Sequence, residues 1–305
     1  MIPKISIIVP NYNDASKLSD CIQSLLDLNY PKDKVEIIIV DNGSTDNSMQ
    51  IIKAFPVKLL TEKDVKGSYA ARNLGVKNAT GEVLAFTDSD CIVDKQWLCN
   101  SIKYLAGEDV GGVAGEILGG EPNTLVEEYQ LLTKALDQSK YFSHPYYPFA
   151  VTANVIYKKS VFDKIGLFET HWISGGDVDF AWRMQIHGKM KLIYATDCSV
   201  YHHHRTSPTG LYLQSKRHIY GACLLNAKYD NKFQTINELN NKLILYGKMF
   251  RRNVEKVILF SAFFLLRTKR VYFLYLSRVS ALGYFKGLIQ YRKDKHELFH
   301  HCSNV

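Results

Sequence analysis

"KISIIVP" (Lys4–Pro10) and "VEIIIVD" (Val35–Asp41) decide how this chain folds. Each is dominated by Ile and Val and closes on a polar or turn-forming residue. A strand with one face in water alternates apolar and polar side chains. A continuous β-branched run instead suits a strand covered on both faces, as in a parallel sheet layered between helices. Between the two, "DASKLSDCIQSLLDL" sets Leu18, Cys21, Ile22, Leu25 and Leu26 at helical spacing, with Asp14 or Ser16 as cap. The alternation continues with a helix over Asn47–Ala54, a short strand over Val57–Leu60 and a helix over Ser68–Ala79. The next strand is "GEVLAFTDSD", ending at Asp90. This βαβα order predicts an α/β fold, a doubly wound and mostly parallel sheet with right-handed crossovers.

Sheets of this kind bind ligands beyond the carboxyl ends of their strands. Those ends carry Pro10-Asn11-Tyr12-Asn13, Asp41-Asn42-Gly43-Ser44 and Asp88-Ser89-Asp90, three polar clusters that open on one crevice. Two carboxylates two residues apart repel each other. A hard divalent cation, Mg²⁺ or Mn²⁺, would relieve that repulsion and neutralise a bound diphosphate. Asp41 has two readings: it caps the turn "DNGSTD", or it accepts a hydrogen bond from a nucleobase imide. Arg72 stands among Ala70, Ala71, Leu74 and Gly75, so its guanidinium calls for an anionic partner, Asp88 or a phosphate. No GxxxxGK[ST] or GxGxxG follows the first strand, and no GxSxG elbow occurs. P-loop hydrolysis, ordinary dinucleotide redox chemistry and Ser-His-Asp hydrolysis are thereby disfavoured.

The formal charge of +8 is unevenly spread. Residues 1–225 hold 23 Lys and Arg against 25 Asp and Glu, and residues 226–305 hold 15 against 5. A nucleic-acid-binding core would carry a basic patch, so this distribution argues against nucleic acid as partner. It also sets a domain boundary near residue 225. Upstream, strands are expected near Gly112–Leu118 and Ala150–Tyr157, and helices over Leu125–Leu136, Val178–His187 and 211–226. The six cysteines show no CxxC pair, and "MIPKISIIVP" lacks the pattern of a signal peptide, which favours reduced thiols in the cytoplasm. The longest apolar run, Val257–Leu266, is too short to span a bilayer. It is flanked by Lys248, Arg251, Arg252, Lys256, Arg267, Lys269 and Arg270. That pattern fits an amphipathic helix packed on the upstream domain, or peripheral docking on an anionic inner membrane leaflet.

Four segments, "ISIIVPNYND", "IIIVDNGSTDNS", "GSYAARNLGVKNATGEVLAFTDSD" and "GGDVDFAWRM", occur in order and at suitable separations. Together they resemble the inverting family 2 glycosyltransferases of GT-A fold, over about residues 4–222. The resemblance implies a Rossmann-like nucleotide-sugar half (1–105), an acceptor half (106–225) and a basic helical extension (226–305). It implies that Pro10, Tyr12 and Asp14 line the nucleotide pocket, that Asp41 reads the base edge with Ser44 supporting its turn, and that Arg72 lies near the base and the acid motif. Asp88 and Ser89 would contact the donor ribose. Asp90 would bind the metal that bridges the diphosphate, completed by His202 from "YHHHRTSPTG". Asp177 matches the general base, with Gly175, Gly176 and Asn154 on the acceptor side.

Asp163 and Asp179 are the other carboxylates near that segment. Asp163 is expected to face solvent, and Asp179 to pair with Arg183 four residues on. Family members often carry Glu before the base, where this chain has Gly176, which affects acceptor orientation. Gln214 and Arg217 match the QxxR element of processive synthases, but His218 replaces the Trp that follows it, so processivity is not expected.

The implied activity is transfer of a sugar from a nucleoside-diphosphate donor to a hydroxyl of a glycan or lipid-linked acceptor. UDP is favoured because Asp41 suits a uracil imide, with GDP and dTDP as alternatives. A sugar-phosphate nucleotidyltransferase would want a Gly-rich basic loop after the first strand, which "PNYNDASKL" lacks. A lipid- or nucleic-acid-binding protein acting through the tail is the non-enzymatic alternative.

Overall fold

The computed structural model describes residues 2–229 and 268–302. The chain divides into two compact units. The first runs to Gly120 and resumes over Leu136–His203; the second comprises Glu121–Ala135 and the described residues from His204 onward.

The first unit is built on a single eight-stranded sheet. In chain order its strands are β1 (Ile5–Asn11), β2 (Val35–Asp41), β3 (Lys58–Thr61), β4 (Val83–Thr87), β5 (Cys91–Val93), β6 (Val110–Gly119), β7 (Asn154–Lys158) and β8 (Lys191–His202). In space they run β3-β2-β1-β4-β7-β6-β8-β5. The block β3-β2-β1-β4 is parallel throughout, as the unbroken apolar runs predict. β7 is antiparallel to both β4 and β6, β8 is parallel to β6, and β5 is antiparallel to β8.

Alternate residues of one strand feed two separate cores. Ile5, Ile7 and Val9 of β1 pack with Leu18, Ile22 and Leu25 of α1 (Ala15–Leu26) and with Trp97 and Leu98 of α4 (Trp97–Tyr104). Ile8 faces the other way, with Ala71 and Val76 of α3 (Ser68–Lys77) and Phe180 of α8 (Gly176–Ile186). The sheet is therefore covered on both faces, which is why β1 needs no polar alternation. Helix α3 lies so close to β1 that a Cβ on Gly75 would come within 2.5 Å of the Ile8 side chain. Pro10 lies beyond the stretch of β1 that pairs with β4, so its missing N–H costs no ladder bond on that side.

In the second unit, α5 (Leu125–Leu132), α9 (Pro208–Lys228) and α10 (Lys269–Cys302) pack together through Val126, Leu211 and Leu276. α5 stops short of Leu136 because Lys134 and Leu136 adopt positive φ, 51° and 66°. The boundary expected at 225 falls inside α9, a continuous helix from Pro208 to Lys228, so the charge change there is no break in structure. Of the seven basic tail residues, Lys248, Arg251, Arg252, Lys256 and Arg267 lie outside the described residues, as does Val257–Leu266. Lys269, at the start of α10, pairs with Glu128 at 2.9 Å. Among the described residues no helix is long and apolar enough to cross a membrane.

Candidate active site

The parallel strands deliver their polar ends as the sequence predicts. Asn11, at the last position of β1, sits opposite Asp41, at the last position of β2. Its amide donates to Asp41 Oδ1 at 2.9 Å and to Ser44 Oγ at 3.1 Å. Asp41 Oδ2 accepts from the Gly43 and Ser44 amides, both at 3.1 Å. Asp41 thus caps its own turn, as one of its two readings had it, while Oδ1 keeps acceptor capacity beyond the bond from Asn11. Asn13 takes a left-handed conformation (φ 52°), and its side-chain carbonyl accepts from the Thr45 amide at 2.7 Å, joining the two turns. Tyr12 stands out from this framework with its ring 61% exposed. Asp14 reaches across to the third strand end, where Ser89 Oγ donates to its Oδ2 at 2.9 Å.

The acid motif separates into two environments. Asp88 is paired with Arg72, whose guanidinium is buried under α3 and lies 5.6 Å over the Tyr69 ring. Asp90 is buried and faces β8. In the β5–β8 pairing Cys91 stands opposite His202, and this brings His202 Nε2 to 3.5 Å from Asp90 Oδ1. The ligand atoms of Asp90, Cys91 and His202 all lie within 4.8 Å of one another, the one such trio among the described residues. A carboxylate and an imidazole suit Mn²⁺ or a similar divalent ion. The Cys91 thiol is less suited. Thiolate sulfur is a soft ligand that suits Zn²⁺ or Cu⁺ better than Mn²⁺ or Mg²⁺. His203 and His204 are not part of the cluster.

The base-motif segment opens helix α8. Gly175 is its N-cap in the left-handed conformation (φ 87°). Asp177 Oδ1 accepts from the Tyr69 hydroxyl and from the Val178 amide, each at 3.0 Å. Burial holds the Asp177 carboxyl above the ordinary value of 3.8. The Arg72 charge and the Tyr69 and Val178 hydrogen bonds oppose that rise. Asp179 is fully buried against Arg183 at 2.8 Å, the i,i+4 pair expected. Asp163, in α7 (Lys159–Ile165), is exposed, also as expected. The departure at Gly176 has a steric cause: a Cβ there would lie 2.8 Å from Tyr69 Cε2, so the ring occupies the space a Glu would need.

Asn154 requires correction. It is 1% exposed, and its amide donates to the Glu116 and Cys198 carbonyls, both at 2.8 Å. Its Oδ1 accepts the Trp97 indole N–H at 2.8 Å. Both amide hydrogens are committed inside the sheet, leaving none for an acceptor sugar. Gln214 and Arg217 lie on α9 in the second unit. Asn11 was named only as part of a polar strand end, without a partner, and Tyr69 was not singled out, although each lies within a quoted segment. The opposed pair Asn11–Asp41 had a signal, two polar strand ends in register; Tyr69 had none beyond its place one turn before Arg72.

Comparison with known proteins agrees with this architecture. A profile described as glycosyl transferase family 2 matches residues 6–166, and one described as glycosyl transferase family group 2 matches residues 121–289. The chain is 34% identical over 189 residues to glycosyltransferase AglE of Haloferax volcanii, covering 60% of this chain and 61% of that protein. It is 29% identical over 210 residues to a pre-mycofactocin glycosyltransferase of Mycobacterium tuberculosis, covering 66% of this chain and 43% of that protein. It thus spans about three fifths or less of these relatives' lengths.

Among solved structures it resembles mannosyltransferase PcManGT from Pyrobaculum calidifontis, determined with GDP-Man and Mn²⁺. The TM-score is 0.64 at 20% identity, over 94% of this chain and 87% of that one. It also resembles S. aureus TarS 1-349 with UDP-GlcNAc, with TM-score 0.54 at 19% identity, over 95% and 92%. At such identities the likeness is one of fold, the GT-A fold. With the first profile matched over more than half of its length, the chain belongs to glycosyl transferase family 2.

Proposed function

We propose that this glycosyltransferase moves a sugar from a nucleoside diphosphate, UDP in the first instance, to a hydroxyl of a glycan or lipid-linked acceptor with inversion at the anomeric carbon. The observation that carries the reading is the juxtaposition of Asp90 with His202 across the β5–β8 pairing. These two side chains would hold a divalent cation, Mn²⁺ or Mg²⁺. When bound, such an ion neutralises the diphosphate and stabilises it as a leaving group.

The protein's own groups account for the rest. Tyr12, Pro10 and Asp14 form the nucleotide pocket, with the exposed Tyr12 ring a surface for the base to stack on. Asp41 Oδ1 offers its remaining acceptor capacity to the imide N–H of uracil. Asp88 and Ser89 face the ribose, and Arg72 holds Asp88 in place. Inversion needs one in-line displacement, with a base on the face opposite the leaving group. Asp177 takes the acceptor's hydroxyl proton as the new glycosidic bond forms; Gly175 and Gly176, expected on the acceptor side, are buried, with the Tyr69 ring over Gly176, so they shape the start of α8 rather than meet the sugar. A location at the inner face of the membrane belongs to the same proposal and follows from the basic tail composition.

A thermal-shift screen of UDP, GDP, dTDP and CMP sugars, each with and without Mn²⁺, tests this. A shift seen with one UDP-sugar and only with metal supports it, by the linkage of binding to stability. A GDP-sugar shift of equal metal dependence would reassign the donor. A metal-independent shift with every nucleotide would remove the Asp90–His202 site.

A further inference from the structure

Tyr69 is buried, yet its hydroxyl is engaged on two sides by the segment that carries Asp177. It donates to Asp177 Oδ1 at 3.0 Å and accepts from the Gly176 amide at 3.0 Å. Burial, then the neighbouring Asp177 charge, raises its proton affinity well above the ordinary 10.0, so it stays a phenol and a donor. The ring is held as firmly. It stacks on Phe168 with centroids 5.9 Å apart and planes 28° apart, fills the space over Gly176, and carries the Arg72 guanidinium at 5.6 Å. Arg72, one turn along the same helix, is the partner of Asp88.

We propose that Tyr69 is a positioning residue for the transfer reaction: its hydroxyl fixes the rotamer of Asp177, and its ring, under Arg72, ties that carboxylate to the donor-side acid Asp88. This rests on the reading of Asp177 as general base. A base contributes fully only when its lone pair is aimed at the proton it removes. Among the described residues, the side-chain donor to Asp177 is Tyr69 alone. The other titratable or charged groups that face it are Arg72 of α3 and Tyr157 of β7. Arg72 touches both Asp88 and the Tyr69 ring. Rearrangement of Asp88 on donor binding is therefore felt at Asp177 through two side chains of one helix.

The test is Tyr69→Phe, which keeps the ring and removes only the hydroxyl. The probe is release of nucleoside diphosphate from the nucleotide sugar chosen by the thermal-shift screen, with water as acceptor and Mn²⁺ present. Because the Tyr69 hydrogen bond lowers the Asp177 pKa, its loss moves the acid limb of kcat/KM to higher pH. The plateau kcat should fall about tenfold, while donor affinity by calorimetry stays within about twofold. An acid limb and a plateau kcat both unmoved, with only the Tm lowered, would make Tyr69 structural and overturn the proposal. Asp177→Asn separates the two ideas. If it retains turnover, the base reading fails and the Tyr69 role with it. If it is inactive while Tyr69→Phe is kinetically silent, the positioning role alone fails.

Discussion

Asp179 and Arg183 form a buried ion pair at 2.8 Å one helical turn apart, with Asp179 wholly withdrawn from solvent. Arg183 also donates to the Ile165 and Leu167 carbonyls at 2.6 and 2.7 Å, so it stitches α8 to the end of α7 and the loop that follows it. Asp177, two residues before Asp179, faces Tyr69 instead. Two acids in "DVDFAWR" therefore stand in opposite settings: one braces the helix, and the other faces Tyr69, where the proposed function makes it the base.

That division predicts opposite stability changes for two isosteric variants. Asp179→Asn leaves Arg183 as a buried charge without its carboxylate and should cost about 3 kcal/mol, read as a lower Tm. Asp177→Asn should raise Tm at neutral pH. The folded state holds the Asp177 carboxyl above its ordinary 3.8, so ionisation works against folding. The sign follows: the folded protein binds the extra proton, so wild-type stability declines as pH rises from the ordinary value through the raised one. The advantage of Asn should thus vanish below about pH 4, given the ordinary value of 3.8. Asp177→Asn should also lower kcat at least about a hundredfold with donor affinity nearly unchanged. Equal Tm losses in both variants would contradict this assignment of roles.

Metal dependence should follow Asp90 and His202 and spare Cys91. Asp90→Ala should abolish the Mn²⁺-dependent part of nucleotide binding, and His202→Ala should weaken it, both read by calorimetry with and without Mn²⁺. Cys91 is buried and its soft sulfur suits Mn²⁺ poorly, so Cys91→Ala should lower Tm by a cavity cost of about 1 kcal/mol and leave the Mn²⁺ dependence as it was. Loss of Mn²⁺ binding in the Cys91 variant would place sulfur among the ligands.

How far the sequence could be read depended on whether a signal was local. β1, β2 and β4 were legible because burial on both faces writes itself as an unbroken apolar run. Asp179–Arg183 was legible because its partners are four residues apart. β8 was not. "KLIYATDCSVYH" changes which face it buries, and its pairing with β6 shifts register between Gly115 and Ile117, so no single period runs through it. His202 could be linked to Asp90 only through family resemblance, since the pairing that joins them spans more than a hundred residues. Asn154 failed for the converse reason. The resemblance set it on the acceptor side, and only the structure shows Trp97 and two carbonyls consuming it.

Asn154 therefore makes its own prediction. Asn154→Ala would remove the Asn154 partner of the buried Trp97 indole and of the Glu116 and Cys198 carbonyls. Each orphaned group costs about 1–3 kcal/mol, so Tm should fall sharply. At temperatures where the variant is folded, acceptor KM should match wild type. A raised KM with unchanged Tm would return Asn154 to the acceptor site.

Gly176 and Tyr69 offer the sharpest steric test. On helix propensity alone, Gly176→Ala at the start of α8 should stabilise the protein by about 0.5–1 kcal/mol. The structure predicts the reverse sign. The new Cβ would stand 2.8 Å from Tyr69 Cε2 and 3.0 Å from its Cδ2 and Cζ. That ring cannot swing aside cheaply, since it is stacked on Phe168, covered by Arg72 and hydrogen-bonded at its hydroxyl to both Gly176 and Asp177. Overpacking of this kind costs about 1–3 kcal/mol. Because it displaces the group that aims Asp177, kcat should fall along with Tm. Tyr69→Ala removes the obstacle at the cost of a cavity, about 3–5 kcal/mol for an aromatic side chain. Once the ring is gone, Gly176→Ala should be neutral or stabilising in the Tyr69→Ala background. The double-mutant cycle should then show a coupling of about 1–3 kcal/mol. Strict additivity, or a stabilised Gly176→Ala single variant, would mean that the ring yields and that glycine at 176 is not held there by Tyr69.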